Sequence, residues 1–517
     1  MKCKNNELKD KDSKPFWMLQ YPERVFVFFA SCFGVLFLLL VPPFQSPDEY
    51  AHFYRAYQIS EGRMVAEVEY DYIGGYLPES LLTTAKGLSK GIPYPFAMGV
   101  SVDAHFNQHE KLTLSDFTSL LKLPVNSQQR VFLAFPNTAS YSPIPYLPHQ
   151  LGLMLGRLFN FSPILLFYVA RAFNLLVWIC LVALAIKTIP ILKRVFFLLA
   201  LTPMSLFIAS TLSADAFTNA ISFLIISVFV RYTCDNNKEI KVNDMLILGA
   251  LSILLSLSKQ GYGLMLFLFF LIPVDKMKTI KAGKYKHIKY LSVFIALISV
   301  NLAVAAFWSS VVRDIVMIPL SYAPNMSAHQ QMNFILSHPL TYCSTIVNTF
   351  IRRHFYADQL IGVLGWLDTP MPTFIVYSYF MVLVVVSLIE RDKLCVISKV
   401  KKILIFGTML STILAISTIG YLFWMPVGAN SIDGIQGRYF IPVFPLLMLL
   451  LYNTAISNQS VIIKNIVFEK HVKIIEYLRN NETVVNLLVV SYSVFTLSCT
   501  LSVLFQRYWA HGGFRLD

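Results

Sequence analysis

Asp48 and Glu49 stand in "PPFQSPDEYAHFYRAY", residues 42–57, directly after the uncharged apolar run Val25–Val41. A carboxylate placed where a chain leaves a membrane can take a proton from a hydroxyl as a general base. Asp48, His52 and Arg55 recur at i, i+4 and i+7, so a helix here would carry carboxylate, imidazole and guanidinium on one face. Tyr50, Tyr54 and Tyr57 fall on another face, suited to rest at the membrane interface. A bland reading competes: Ser46 as N-cap, Pro47 as the first helical residue and Glu49 as the capping-box partner. The capping box accounts for Glu49 better than for Asp48, which it does not require. The stripe of Asp48, His52 and Arg55 is then either a solvated face or a substrate-binding surface. Asp48 and His52 could instead hold a divalent cation, but only two ligands are visible, so metal dependence stays open.

Other ionisable residues fall near the same external side of the expected membrane. Arg171 lies one to two turns inside the second long apolar run, with Asn174 close by. Asp215 lies in "LSADAFTN", Lys259 in "LSKQGYG" and Arg438 in "QGRYF", while Arg352, Arg353 and His354 lie in a long loop. Ionisable side chains at membrane depth mark functional sites more often than not. Arg171 and Lys259 taken singly could equally snorkel to the interface. Several cations converging on one external site suit a lipid phosphate or pyrophosphate. Gly434 and Gly437 beside Arg438 would let backbone approach closely.

The elements that must position these residues are membrane helices. The chain has 517 residues, 56% hydrophobic and only 14% charged, with a mean hydropathy of +0.59. About eleven apolar runs approach the ~20 residues needed to cross a bilayer. They fall near 25–43, 163–188, 195–212, 214–232, 244–258, 261–274, 290–310, 371–390, 403–425, 439–457 and 483–505. An all-α bundle of about 11 spans is the expected fold class, with a large first periplasmic loop containing amphipathic helices. The net charge of +14 sits mostly in alternate loops, the positive-inside pattern, which opposes a nucleic-acid partner and puts the N-terminus in the cytoplasm. An odd number of spans then puts the C-terminus outside. A basic N-terminus without a small-residue cleavage site favours a retained first helix over a signal peptide. Of seven cysteines, only Cys343 falls in a sizeable external segment, and no CxxC pair exists.

The expected organisation is a cytoplasmic tail, 1–24, a membrane domain, 25–457, and a final segment, 458–517. The membrane domain carries long external loops at 44–162 and 311–370. The first loop holds the Pro-rich "YSPIPYLPHQLG" and then "LGLMLGRLF", an interfacial or re-entrant helix. The second reads as amphipathic helices at the membrane surface. No internal or inverted repeat is visible, which disfavours a secondary transporter.

"PDEYAHFYRAYQISEG" resembles the opening motif of the DUF2142 family of bacterial membrane proteins. "YSPIPYLPHQLGLMLGRL", "ARAFNLLVW", "LALTPMSLFIASTLSADAFTNA", "LSLSKQGY", "GVLGWLDTP" and "QGRYFIPVFPLL" follow in order and carry the same resemblance. The family in turn looks like the GT-C glycosyltransferase clan. The resemblance implies a polyprenyl-phosphate sugar donor and an inner-membrane enzyme acting on its periplasmic face. The acceptor would be a cell-envelope glycan or a lipid-linked molecule. It also implies that Asp48 matches the acidic catalytic position with Glu49 beside it, and that Lys259 and Arg438 meet the donor phosphate. Arg171 joins them as a third cation, and His52, Arg55, Asp215, Arg352 and Arg353 are the expected substrate-binding residues. "SKQGY" departs from relatives that often place Pro after the Lys. Two other readings are an O-antigen-type polymerase relying on Arg352 and Arg353, and a lipid-linked glycan flippase. A flippase should place its charges near the bilayer midplane, whereas these gather at span ends.

Overall fold

The computed structural model describes residues 21–70, 72–91, 107, 109–277, 285–316, 326–352, 355–390, 395–452, 477–478 and 480–510. The first apolar run forms helix α1, Pro22–Leu40, with Pro22 at its first turn where a missing N–H costs nothing. The chain then turns through residues 41–48 into α2, Glu49–Ser60. The rest of the first loop supplies α3 (Glu79–Leu88), α4 (Leu114–Leu121), the short α5 (Pro136–Ala139) and α6 (Leu147–Leu158). Three strands interrupt these helices: β1 (Glu67–Glu69), β2 (Tyr72–Pro78) and β3 (Arg130–Ala134) form an antiparallel sheet in the order β1-β2-β3, with Gly75 opposite Leu133. A two-stranded ribbon pairs β4 (Val363–Leu364) with β5 (Thr369–Pro370). The all-α expectation is corrected to that extent. Only β2 and β3 pair across a long stretch of chain, Gly74 facing Ala134, while β1–β2 and β4–β5 are local pairs of two or three residues, too short for periodicity to reveal.

The bundle continues with α7 (Pro163–Thr188), α8 (Lys193–Ala200), α9 (Pro203–Ala209), α10 (Ala214–Cys234) and α11 (Val242–Ser258). A 3₁₀ helix, Gln260–Leu271, precedes α12 (Lys286–Val311). After α13 (Arg313–Val316), the second loop holds α14 (Ala328–Ser337), α15 (Pro339–Arg352) and α16 (Phe355–Gly362). Then come α17 (Thr373–Ile389), α18 (Lys399–Trp424), a 3₁₀ turn (Gly437–Val443) leading into α19 (Phe444–Leu451), and α20 (Glu482–Tyr508). Six of the described helices, α1, α7, α10, α12, α18 and α20, are long and apolar enough to cross a membrane, and four shorter apolar helices accompany them. Within the described residues each expected run contains helix, but not every run is one spanning helix. The run 195–212 breaks before Pro203, which lacks an N–H, and the Thr202 hydroxyl caps the new helix by accepting from Ser205 N at 3.2 Å. The segment Gln260–Leu271 has 12 residues, and the 3₁₀ rise of about 2.0 Å stretches it to about 24 Å, against about 18 Å as an α-helix.

Two hydrophobic cores divide the molecule. One fills the bundle and includes Phe26, Trp178, Phe229, Tyr379 and Leu497. The other lies under the first loop and gathers Tyr54, Leu81, Leu133, Phe135 and Tyr146 around the start of α7, where Phe167 and Ala170 belong to it. So α7 begins in the loop core and ends in the bundle core, making the two one body. Gly152 on α6 meets α7 closely, since a Cβ there would come within 2.9 Å of the Val169 carbonyl.

The end of α20 returns to the exit of α1. Trp509 Nε1 donates to the Leu40 carbonyl at 2.7 Å, Arg507 pairs with Asp368 at 2.7 Å, and Phe117 stacks on Trp509. At the other end of the bundle, Arg24 and Lys187 line one surface pocket, and Lys276 donates to the carbonyls that end α10. Cys234 and Cys395 are bonded there, a pairing that a count of external cysteines did not foresee. Basic residues therefore gather at the end opposite the large loop.

Candidate functional site

The turn from α1 into α2 is held by side chains from distant elements. Phe44 and Asp48 both adopt left-handed backbone, with φ 67° and 58°. That region is costly for a side chain with a Cβ and least so for Asp, Asn and Gly. Helix α2 begins at Glu49 with Asp48 as its N-cap residue, and Asp48 makes no side-chain cap. The capping box of Ser46 and Glu49 expected from sequence does not form; only the Glu49 N–H donates to the Ser46 carbonyl, at 3.2 Å. Freed from capping, the Asp48 carboxylate accepts from Asn137 Nδ2 at 2.9 Å and stays partly open. Burial pushes the Asp48 carboxyl above the usual carboxylate range, while the Arg438 charge and the Asn137 hydrogen bond pull it back.

Glu49 takes another course. Its oxygens receive Arg171 Nε at 2.8 Å and Nη2 at 2.7 Å, and Oε1 also receives the Leu212 N–H at 2.8 Å. Arg171 spends its remaining donors on the carbonyls of Leu38, Val41 and Pro42. Both side chains have no exposed surface. This saturated pair fastens the helix start to α7 and to the loop before α10. Glu49 as a second catalytic carboxylate and Arg171 as a phosphate-binding cation fit this geometry poorly, because all five Arg171 donors are used and neither side chain has exposed surface. Removing one partner of such a pair leaves an uncompensated buried charge.

Arg55 is also built in. It donates to Gln58 Oε1 at 2.6 Å and to the carbonyls of Met64 and Tyr141, and it is fully buried. These bonds brace the loop and leave only its Nε without a hydrogen bond, so the geometry gives Arg55 a structural part beside the expected substrate-binding one. His52 remains at the site: its Nδ1 meets the Tyr146 hydroxyl at 2.8 Å. Burial lowers the His52 imidazole to about 3, against the pull of the Asp215 charge, so it is neutral. His149, one turn beyond Tyr146, is buried with neither ring nitrogen hydrogen-bonded.

Asp215, Lys259 and Arg438 meet although the chain separates them widely. Lys259 Nζ lies 2.5 Å from Asp215 Oδ1, and Arg438 Nε lies 3.5 Å from Asp215 Oδ2. The Lys259 ammonium sits over the Tyr439 ring at 4.2 Å and the Tyr141 ring at 6.0 Å. Ser213 caps α10 and presents Asp215 in its first turn. Gly437 allows the close approach expected of it: a Cβ would come within 2.2 Å of the Tyr356 carbonyl, and its N–H donates to Gln359 Oε1. Gly434 has no such contact. Arg438 and Asp215 both bear on Asp48 electrostatically, so the trio and Asp48 form one polar cluster at the end of the bundle that carries the first loop.

Arg352 ends α15, and Arg353 and His354 lie outside the described residues. Asn137, Tyr141 and Tyr146 are site residues that sequence reading missed as such. The Pro-rich stretch containing Tyr141 and Tyr146 was visible, and Ser142 fixes it by donating to the Leu257 carbonyl, two residues before Lys259. Trp366 joins from the second loop, donating to the Phe44 carbonyl at 3.0 Å and stacking on Tyr50. Among the described residues, no group of three or more His, Cys, Asp or Glu side chains is arranged to hold a metal ion.

Long apolar helices around a buried polar cluster define a multi-pass helical membrane protein. The model of the family described as "Predicted membrane protein (DUF2142)" matches residues 31–447, and the chain belongs to that family. Comparisons with curated proteins and with solved structures give no match.

Proposed function

We propose that the protein is an inverting glycosyltransferase of the GT-C kind. Its donor is a polyprenyl-phosphate sugar, and its acceptor is a cell-envelope glycan or lipid-linked molecule on the periplasmic face of the inner membrane. The observation that carries this reading is a partly open carboxylate, Asp48, held by Asn137 and lying within electrostatic reach of Arg438 and of Asp215, on which Lys259 and Arg438 converge, beyond the end of α1. A lipid-linked donor keeps its phosphate at headgroup level and its tail in the bilayer, so its chemistry belongs at that level. Asp48 takes the proton as the acceptor O–H bond breaks. The acceptor oxygen bonds to the anomeric carbon, and the bond from that carbon to the phosphate oxygen breaks with its electrons left on the phosphate. Lys259 and Arg438 stabilise that developing charge in a site shielded from water. Neutral His52, steadied by Tyr146, offers a hydrogen-bonding group to the sugar or acceptor. Asn137 orients the base.

Reconstituted protein given a panel of polyprenyl-phosphate sugars and envelope glycans tests this reading through release of polyprenyl phosphate. Release by wild type but not by Asp48→Asn, with both variants inserted and folded, is the expected result. Full release by Asp48→Asn would remove the mechanism. Arg438→Lys is expected to weaken activity, because a point charge replaces a planar fork.

A further inference from the structure

Helices α1 and α7 pack antiparallel, with Phe26 against Trp178 toward one end and Arg171 on the Leu38 and Val41 carbonyls at the other. Gly34 keeps them close at mid-length, since a Cβ there would come within 2.8 Å of Leu175 Cδ1. At the end away from the first loop a cleft of about 360 Å³ lies between them, within the size range of small-ligand sites. Val27 from α1 and Ala183 and Leu184 from α7 form its apolar wall, and Glu23, Arg24 and Lys187 form its charged rim. Val27, Leu184, Arg24 and Lys187 are all exposed. Among the described residues neither cation has a hydrogen-bond or ion-pair partner for its charged group, and Arg24 lies over the Tyr21 ring, 4.5 Å from its centre. Other basic residues at this end are committed: Lys276 and Lys402 donate to carbonyls, and Arg194 donates to Asn486.

Helix α1 has 19 residues, so it is about 28 Å long, close to the ~30 Å of a bilayer's hydrocarbon core. Its first turn, with Arg24, therefore sits at the level of lipid headgroups, and the apolar wall runs from there toward the acyl chains. Tyr21 suits the same level, where aromatic rings with a polar tip gather. Arg24 and Lys187 against Glu23 leave the rim one net positive charge. Two unpaired cations on one cleft favour an anion that accepts hydrogen bonds from both. We infer that the cleft holds an anionic phospholipid, with its phosphate at the Arg24 and Lys187 rim and the first part of one chain along Val27, Ala183 and Leu184. Basic pockets between membrane helices take anionic headgroups on the same principle. A zwitterionic lipid offers the same phosphate but brings its own ammonium, which the two cations repel. A free phosphate would leave the apolar wall uncovered. Such a lipid braces α1 against α7 at the end opposite Asp48. It requires neither the proposed reaction nor a particular sidedness.

The test titrates the full chain in detergent with phosphatidylglycerol and with phosphatidylcholine of the same acyl chains, and counts bound lipid by native mass spectrometry. Wild type is expected to bind phosphatidylglycerol at least fivefold more tightly. A difference below twofold would overturn the inference, and that result needs no variant to fold. Arg24→Gln combined with Lys187→Gln should abolish the preference, since each basic side chain near a charged headgroup is worth about fivefold. Lys193→Gln combined with Lys399→Gln removes the same charge from the same end of the bundle and should leave the preference intact. Equal loss in the two double variants would assign the preference to general surface charge and overturn the site. Ala183→Trp keeps every charge but fills the cleft, so it should weaken phosphatidylglycerol at least fivefold. Wild-type affinity in that folded variant would overturn the site as well. Displacement of the lipid by equimolar inorganic phosphate would assign the rim to free phosphate and overturn the lipid assignment.

Discussion

Two adjacent carboxylates have opposite fates because their neighbours differ. Asp48 faces an amide and a cluster of charges, whereas Glu49 is saturated by Arg171 and the Leu212 N–H. Asp48→Asn is expected to lower turnover by roughly 10²–10⁴-fold, the usual range for general acid–base catalysis, with folding intact. Glu49→Gln should act through stability instead. It leaves Arg171 buried without its counter-charge, a loss of about 3–5 kcal/mol, visible as a lower melting temperature in detergent. Turnover per folded molecule should fall far less than in Asp48→Asn. The pH profile carries a further expectation. With Asp48 as the proposed base its ionised form is needed, so activity is expected to rise with pH through its raised pKa. The Asn137 hydrogen bond favours the charged carboxylate, so Asn137→Ala should move the acidic limb to higher pH. An unmoved limb would detach Asn137 from the base.

At the scale of elements, the site depends on how α6, α7 and α20 grip the first loop. Gly152 lets α6 lie against the α7 backbone, and Gly152→Val would force the helices apart. The expected cost is about 1–3 kcal/mol from overpacking, read as a lowered melting temperature and faster proteolysis of the loop. Helix α20 lies beyond the family match yet ends on the α1 exit through Trp509 and on Asp368, in the turn between β4 and β5, through Arg507. Trp509→Ala should therefore reduce activity through the loop, with α20 still inserted. Wild-type turnover in that variant would show that this contact does not matter to the site.

For the whole molecule, contacts set which loops share an end with residue 510, and the charge pattern carries the proposed sidedness. Residues near 510 share an end with the first loop, because Trp509 reaches Leu40. The basic residues Arg24, Lys187 and Lys276 lie at the other end. Single cysteines at 110, 340 and 510 in an otherwise cysteine-free chain are expected to react with an impermeant label in intact cells, and one at 237 is not. The reverse pattern would invert the orientation and remove the periplasmic reaction. The loop around Lys284, which charge alone assigns to the cytoplasm, lies outside the described residues.

The sequence alone determined what depends on neighbours along the chain. Apolar runs mark the helices, because a span must satisfy its backbone within itself. The i, i+4, i+7 spacing marks α2, and the motif order marks the family. Asp48, Lys259, Asp215 and Arg438 were recognisable as a set because ionisable residues stand out against apolar surroundings. Only tertiary structure separated Asp48 from Glu49, since Arg171 lies 122 residues from its partner. It alone placed Asn137 on Asp48 across 89 residues and built Arg55 into the loop. The pairing of β2 with β3 was likewise decided at long range, whereas the break before Pro203 is local, set by the proline and the Thr202 cap. Hydrogen bonds between distant residues leave no periodic trace in a single chain, so a carboxylate in a buried ion pair and a partly open one read alike until the fold brings their partners in.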